Sequence, residues 1–126
     1  MNFEIISTDK APAAIGPYSQ AVRAGNVIYT SGSIPVEPST GEVVAGGVAE
    51  QAEQALKNMK EVLISAGASL DSVVKTTVFI KNMNDFASIN EVYKKYFTGS
   101  FPARSCVEVA RLPKDVLIEI ECIAVI

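Results

Sequence analysis

The C-terminal stretch Val116–Ile126 constrains the fold more than any other part of the chain. Ile118, Ile120, Cys122, Ala124 and Ile126 alternate with Leu117, Ile123 and Val125. Alternation by two marks a strand, and apolar residues on both alternations mark a strand covered on both faces. A sheet built around it needs a layer on each side, and the rest of the chain offers helices for one. Gly47–Ala66 carries Val48, Ala52, Ala55, Leu56, Met59, Val62, Leu63 and Ala66 at three-and-four spacing. Glu50 and Glu53 occupy its early turns and Gly67 stops it. Asn84–Phe97 puts Phe86, Ile89, Val92, Tyr93, Tyr96 and Phe97 on its buried side, with Asn82 or Asn84 as N-cap. The uncovered sheet face therefore predicts a homo-oligomer, with another copy as the missing layer. The alternative is a sheet with one partly wet face.

The other strand candidates are Phe3–Ser7, Gln20–Ala24, Val27–Ile34, the β-branched run Ser72–Lys81, and Arg104–Arg111. Gly25-Asn26 is a Gly-first hairpin turn between the second and third. Lys10–Ser19 reads as a loop, Pro35, Pro38 and Gly41 break the chain before the first helix, and Leu112-Pro113-Lys114-Asp115 turns between the last two strands. The order is β-β-β-α-β-α-β-β, one domain over residues 1–126.

Composition narrows the chemistry. The chain has no His and two Cys. That removes Ser-His-Asp and Cys-His relays, His-ligated metals, four-thiolate zinc sites and iron–sulfur clusters. Carboxylates, Arg, Lys, hydroxyls, backbone groups and water remain. The net charge of −3 argues against a sequence-independent grip on nucleic acid. The one basic cluster, Lys94-Lys95, reads as a solvated helix face. No basic segment followed by an apolar run opens the chain, and its longest charge-free stretches are too short and polar to span a bilayer. These features predict a cytoplasmic protein with Cys106 and Cys122 as free thiols.

Candidate site residues gather in a few segments. In Phe101–Glu108, Arg104 opens an otherwise apolar strand after a Pro, with Cys106 and Glu108 on the same face. Arg104 is either a structural ion pair or an anion receptor, since a guanidinium captures carboxylates with two parallel hydrogen bonds. Glu119, between Ile118 and Ile120, suits a half-buried general base or simply faces solvent. Gly16-Pro17-Tyr18-Ser19 offers an exposed phenol. Thr30-Ser31-Gly32-Ser33 offers hydroxyls and a Gly that lets backbone approach a ligand. Turn chemistry alone also explains both. Cys106 has no partner that would lower its pKa, so a small buried apolar role is expected.

Six segments carry a joint pattern: AAIGPYSQA at 13–21, YTSGSIP at 29–35, VKTTVFI at 74–80, FASINEVY at 86–93, FPARSCVEVARLPKD at 101–115, and IEIE at 118–121. Taken together, they resemble the RidA/YjgF family of reactive-intermediate deaminases. The resemblance covers nearly the whole chain. It implies an α+β, chorismate-mutase-like fold: a mixed β-sheet with two helices on one face, in a trimer with a central β-barrel. It implies hydrolysis of 2-imino acids such as 2-iminopropanoate and 2-iminobutanoate to 2-keto acids and ammonia, at sites between subunits, with no metal and no organic cofactor. Arg104 would bind the substrate carboxylate. The Cys106 carbonyl would accept from the imine nitrogen, and Glu119 would activate water. Tyr18, Ser31 and Gly32 would line the pocket, Tyr18 from the neighbouring subunit, with Asn90 and Phe86 in support. Ser33 stands where the family commonly has Gln, and the loop Thr98–Ser100 is short. Two rivals are a non-enzymatic trimer that binds small carboxylates or acts as a chaperone, and a ribonuclease. Retention of Arg104 and Glu119 favours the enzyme over the first. Charge and the absence of His disfavour the second.

Overall fold

A computed structural model describes residues 2–126; Met1, counted in the single domain above, lies outside the described residues. The strands are β1 (Glu4–Ile6), β2 (Ala21–Ala24), β3 (Val27–Thr30), β4 (Val73–Ile80), β5 (Ala103–Glu108) and β6 (Ile118–Val125). The helices are α1 (Val48–Ser65), between β3 and β4, and α2 (Phe86–Tyr96), between β4 and β5. All eight elements occur in the expected order. They form a six-stranded sheet in the order β1-β2-β3-β6-β4-β5. β4 and β5 are parallel and every other pair is antiparallel, so the sheet is mixed. A parallel pair needs a long crossover, which α2 supplies.

β6 lies inside the sheet between β3 and β4, and one of its two apolar alternations faces the helices. Its Ile118, Ile120, Cys122 and Ala124 are buried with Ile28, Val78 and Ile80 against Ala52, Leu56, Met59 and Leu63 of α1 and Ile89, Val92 and Tyr93 of α2. Among the described residues, no layer covers the opposite face. Tyr29, Val107 and Val125 are 47%, 42% and 41% exposed there, beside Ile123, Phe79, Glu119 and Glu121. The uncovered face inferred from sequence is thus present in the chain.

Local signals hold at most boundaries. Gly25 turns the β2–β3 hairpin at φ 62. Glu50 Oε1 accepts the Gly47 amide at 2.8 Å and opens α1. Asn82 Oδ1 accepts the Asn84 amide at 2.9 Å, capping a short 3-10 turn, Met83–Asp85, that leads into α2. Lys94 and Lys95 are solvated and pair with Glu91 and Glu53. No helix among the described residues is long and apolar enough to cross a membrane.

Two expectations need correction. β3 ends at Thr30 and does not run to Ile34. Ser33 and Ile120 still exchange hydrogen bonds as an isolated bridge, but between Thr30 and Ser33 the chain leaves strand geometry where the Glu119 side chain lies against Gly32. Phe86 was expected on the buried side of α2. It is exposed at the first turn, with its ring beneath a guanidinium.

Candidate active site

Arg104 sits on β5, the edge strand, in register with the fully buried Thr76. Its side chain therefore lies on the helix-covered side, over α2. Arg104 Nη1 donates to Asn90 Oδ1 at 2.7 Å. The Arg104 Cζ stands 5.2 Å from the ring centroid of Phe86 and 4.9 Å from that of Tyr93. Residues 86, 90 and 93 recur at helical spacing, so one stripe of α2 supplies all three contacts. The Tyr93 hydroxyl is itself fixed 2.9 Å from Thr76 Oγ1 in the core. Burial raises the Tyr93 pKa, partly offset by the Thr76 hydrogen bond and then by Arg104, so the ring stays neutral. Arg104 has no carboxylate within salt-bridge distance among the described residues. Of the two readings open from sequence, the structural ion pair is not formed. The guanidinium is held by one amide and two aromatic faces, with most of its N–H donors unpaired.

Cys106 follows on the same side, in register with the buried Val78. Burial pushes its thiol pKa up, more than the neighbouring Arg104 lowers it, which disfavours the thiolate a nucleophile requires. Its backbone matters more. The Val109 amide donates to Ile80 O at 2.9 Å. Backbone groups alternate in direction along an extended strand. Odd-numbered residues of β5 therefore point at β4, and the Cys106 carbonyl points to the free edge. Cys122 is buried and also unpaired, as expected, with its pKa pushed up to about 11 chiefly by burial.

Glu119 lies elsewhere. It alternates with the buried Ile118 and Ile120 and pairs in register with Phe79, so its carboxylate is on the uncovered face. It is half-buried there. Burial raises its pKa above the ordinary carboxylate range, and the neighbouring Glu121 adds to the rise. A Cβ built on Gly32 would come within 2.6 Å of Glu119 Cδ, so this position tolerates only Gly while Glu119 keeps its place. Ser31 leads into Gly32 and ties the segment back, with Oγ donating to Ser19 O at 2.6 Å and its amide donating to Gln20 O at 2.9 Å. Tyr18, half-exposed, belongs to the loop before β2 that carries Ser19, and covers Gly16. On the α1 side, a cavity of about 230 Å³ opens beside Tyr18, Ser31, Gly32 and Ser33, walled by Ala11, Ile34, Val36 and Val62; neither Glu119 nor Arg104 lines it.

The candidate residues thus fall into two groups. Arg104, Asn90, Phe86 and the Cys106 carbonyl share the β5 edge. Tyr18, Ser31, Gly32 and Glu119 gather where the chain leaves β3 beside β6, inside the sheet. Within one chain Arg104 and Glu119 occupy opposite faces of the sheet, two strand spacings or roughly 10 Å apart across it. The first group can bind an anion and accept a hydrogen bond. The second can hold a water and take its proton. Sequence reasoning placed Tyr93 in the core alone and missed its stacking on Arg104. The signal was there in Phe86, Asn90 and Tyr93 on one helix stripe facing a lone Arg. Among the described residues no three of His, Cys, Asp or Glu converge as a metal would need.

Comparison with known proteins gives concordant matches. The family model described as Endoribonuclease L-PSP matches residues 8–126. The chain is 61% identical over 123 residues to the 2-iminobutanoate/2-iminopropanoate deaminase of Escherichia coli strain K12, covering 95% of each. The crystal structure of E. coli TdcF with bound serine superposes with a TM-score of 0.94 at 54% identity, covering 98% of both chains. The crystal structure of the E. coli YjgF gene product gives 0.93 at 59% identity, covering 97% of this chain and 98% of that one.

Proposed function

The chain belongs to the endoribonuclease L-PSP family, the RidA/YjgF proteins, and we propose that it hydrolyses 2-imino acids to 2-keto acids and ammonia. The observation that carries this reading is the state of Arg104, a guanidinium fixed on two aromatic faces and one amide with no acidic partner. Such a group is organised to receive a carboxylate from outside. The relative named 2-iminobutanoate/2-iminopropanoate deaminase, at 61% identity, supplies the substrate class, and the TdcF structure holds serine, itself a small amino acid with a carboxylate. The family description also names an endoribonuclease. A net charge of −3 and the absence of His in this chain argue against that activity.

The chemistry follows from the two groups of residues. Arg104 binds the carboxylate of the planar imino acid, and the Cys106 carbonyl accepts the imine N–H. The substrate is thereby oriented with its C=N carbon toward the second group. Glu119 holds a water and takes a proton as the oxygen bonds to that carbon. That proton passes to nitrogen and gives the carbinolamine; Glu119 then carries the hydroxyl proton to the same nitrogen, the C–N bond breaks, and ammonia leaves as the ketone forms. The raised pKa of Glu119 suits a group that first accepts and then returns a proton. Tyr18, Ser31 and Gly32 close the pocket. No metal or organic cofactor takes part. Imines hydrolyse readily in water, so a modest gain is useful; a hundredfold acceleration needs roughly 3 kcal/mol.

Because the two groups lie on opposite faces of one chain, the site is completed between copies. The assembly we propose is a homotrimer whose uncovered sheet faces turn inward as a central barrel. The β5 edge of one copy then meets the Glu119–Gly32–Tyr18 group of the next, an association that closes by rotation. A coupled assay tests the reading. A dehydratase or amino-acid oxidase generates the imine and keto-acid release is followed. Wild-type protein is expected to accelerate release and Arg104→Ala to abolish the effect. Wild-type protein without acceleration would sink the proposal.

A further inference from the structure

The chemistry above makes no use of Gln20, a buried side chain just before β2. Its Nε2 donates to Pro12 O at 2.7 Å and Thr8 O at 3.0 Å, with Ala11 O at 3.4 Å. Its Oε1 accepts the Thr8 amide at 2.7 Å. Both amide protons and the oxygen are matched, and that pattern fixes which way the amide points. Gln20 also reaches the site through its main chain, since its carbonyl accepts the Ser31 amide. Residues 13–18 between these anchors are all exposed, and Ala11 is the one apolar residue of residues 9–18 that is buried. Within one chain, hydrophobic packing therefore does little to fix the loop that carries Tyr18. Hydrogen bonds to one internal side chain do that instead.

We propose that Gln20 is a positioning residue for the deamination, holding the Tyr18 loop in the shape that closes the pocket beside Ser31 and Gly32. The inference rests on the function proposed above. It extends to Ser31, whose hydroxyl proton is committed to the Ser19 carbonyl. Ser31 Oγ thus offers a ligand lone pairs and no proton. It can accept from an imine N–H or a water and cannot donate to a carboxylate.

The test is a double-mutant cycle joined to hydrogen exchange on the full protein. Gln20→Met keeps the bulk and removes every polar contact. It is expected to lower kcat/KM about tenfold, mostly through KM, because Gln20 touches no reacting atom. In a Tyr18→Ala background the same change should cost less than about twofold, whereas in an Asn90→Ala background it should again cost about tenfold. Exchange across residues 8–20 should quicken in Gln20→Met. Equal losses in both backgrounds would overturn the proposal, because general softening acts everywhere alike. Unchanged exchange at 8–20 would overturn it while leaving the deaminase reading intact; inactive wild-type protein would defeat that reading instead. Should Gln20→Met not fold, Gln20→Glu keeps the acceptor for the Thr8 amide but turns an oxygen toward the carbonyls of Thr8 and Pro12, and the same outcomes apply.

Discussion

Arg104 and Glu119 are both set up by their immediate neighbours. Asn90, Phe86 and Tyr93 hold Arg104 by one hydrogen bond and two ring faces, leaving its fork open. Lysine has no planar fork and stacks poorly, so Arg104→Lys should lose most of kcat/KM in the coupled assay although the charge is kept. Glu119 depends on the missing side chain of Gly32. Gly32→Ala would push the far end of a flexible carboxylate aside. It should therefore cut turnover at least tenfold while melting within a few degrees of wild type. The raised pKa of Glu119 also carries a sign. Burial, then Glu121, disfavours its charged form in the folded protein. Wild-type protein therefore loses stability relative to Glu119→Gln as pH rises from the ordinary carboxylate range through the raised value. Thermal melts should show Glu119→Gln the more stable at neutral pH, with the gap closing in acid. The acid limb of wild-type activity should lie above the usual glutamate range.

At the scale of elements, the chain's alternation and helical periodicity were read directly. The long amphipathic α1, the β-branched β4 and the Gly25 hairpin each have one dominant local cause, and each occurs where expected. The misreadings share another cause. Ser31–Ile34 continue the strand-like pattern of β3, yet the chain there bends around a side chain of β6 that is distant in sequence. Phe86 is aromatic and in phase with the buried stripe of α2, yet its ring serves a guanidinium on another element. The sequence offers the candidate residues for the chemistry and leaves their grouping hidden. That Arg104 and Glu119 lie on opposite faces depends on the register of β6, β4 and β5, which no local signal encodes. α2 is the element that links fold to site. Asn90→Ala removes the one hydrogen bond to Arg104 and should raise KM several-fold with a smaller change in kcat. A fall in kcat alone would place Asn90 at the reacting atoms instead.

For the whole molecule, the uncovered sheet face and the divided site make the same demand. Tyr29, Val107 and Val125 are exposed on a face that also carries Glu119, and the second copy proposed above would remove that apolar surface from water and bring an Arg104 toward a Glu119. Sedimentation at micromolar concentration should therefore find a trimer, and a species at the chain mass of 13.4 kDa would contradict the assembly. The most direct test of a site shared between copies uses two inactive variants. Arg104→Ala and Glu119→Gln are unfolded, mixed in equal amounts and refolded together, with mixed trimers confirmed by native mass spectrometry. If each site takes Arg104 from one copy and Glu119 from the next, random mixing restores about a quarter of wild-type activity in the coupled assay. Mixed trimers no more active than the separate variants would contradict the account.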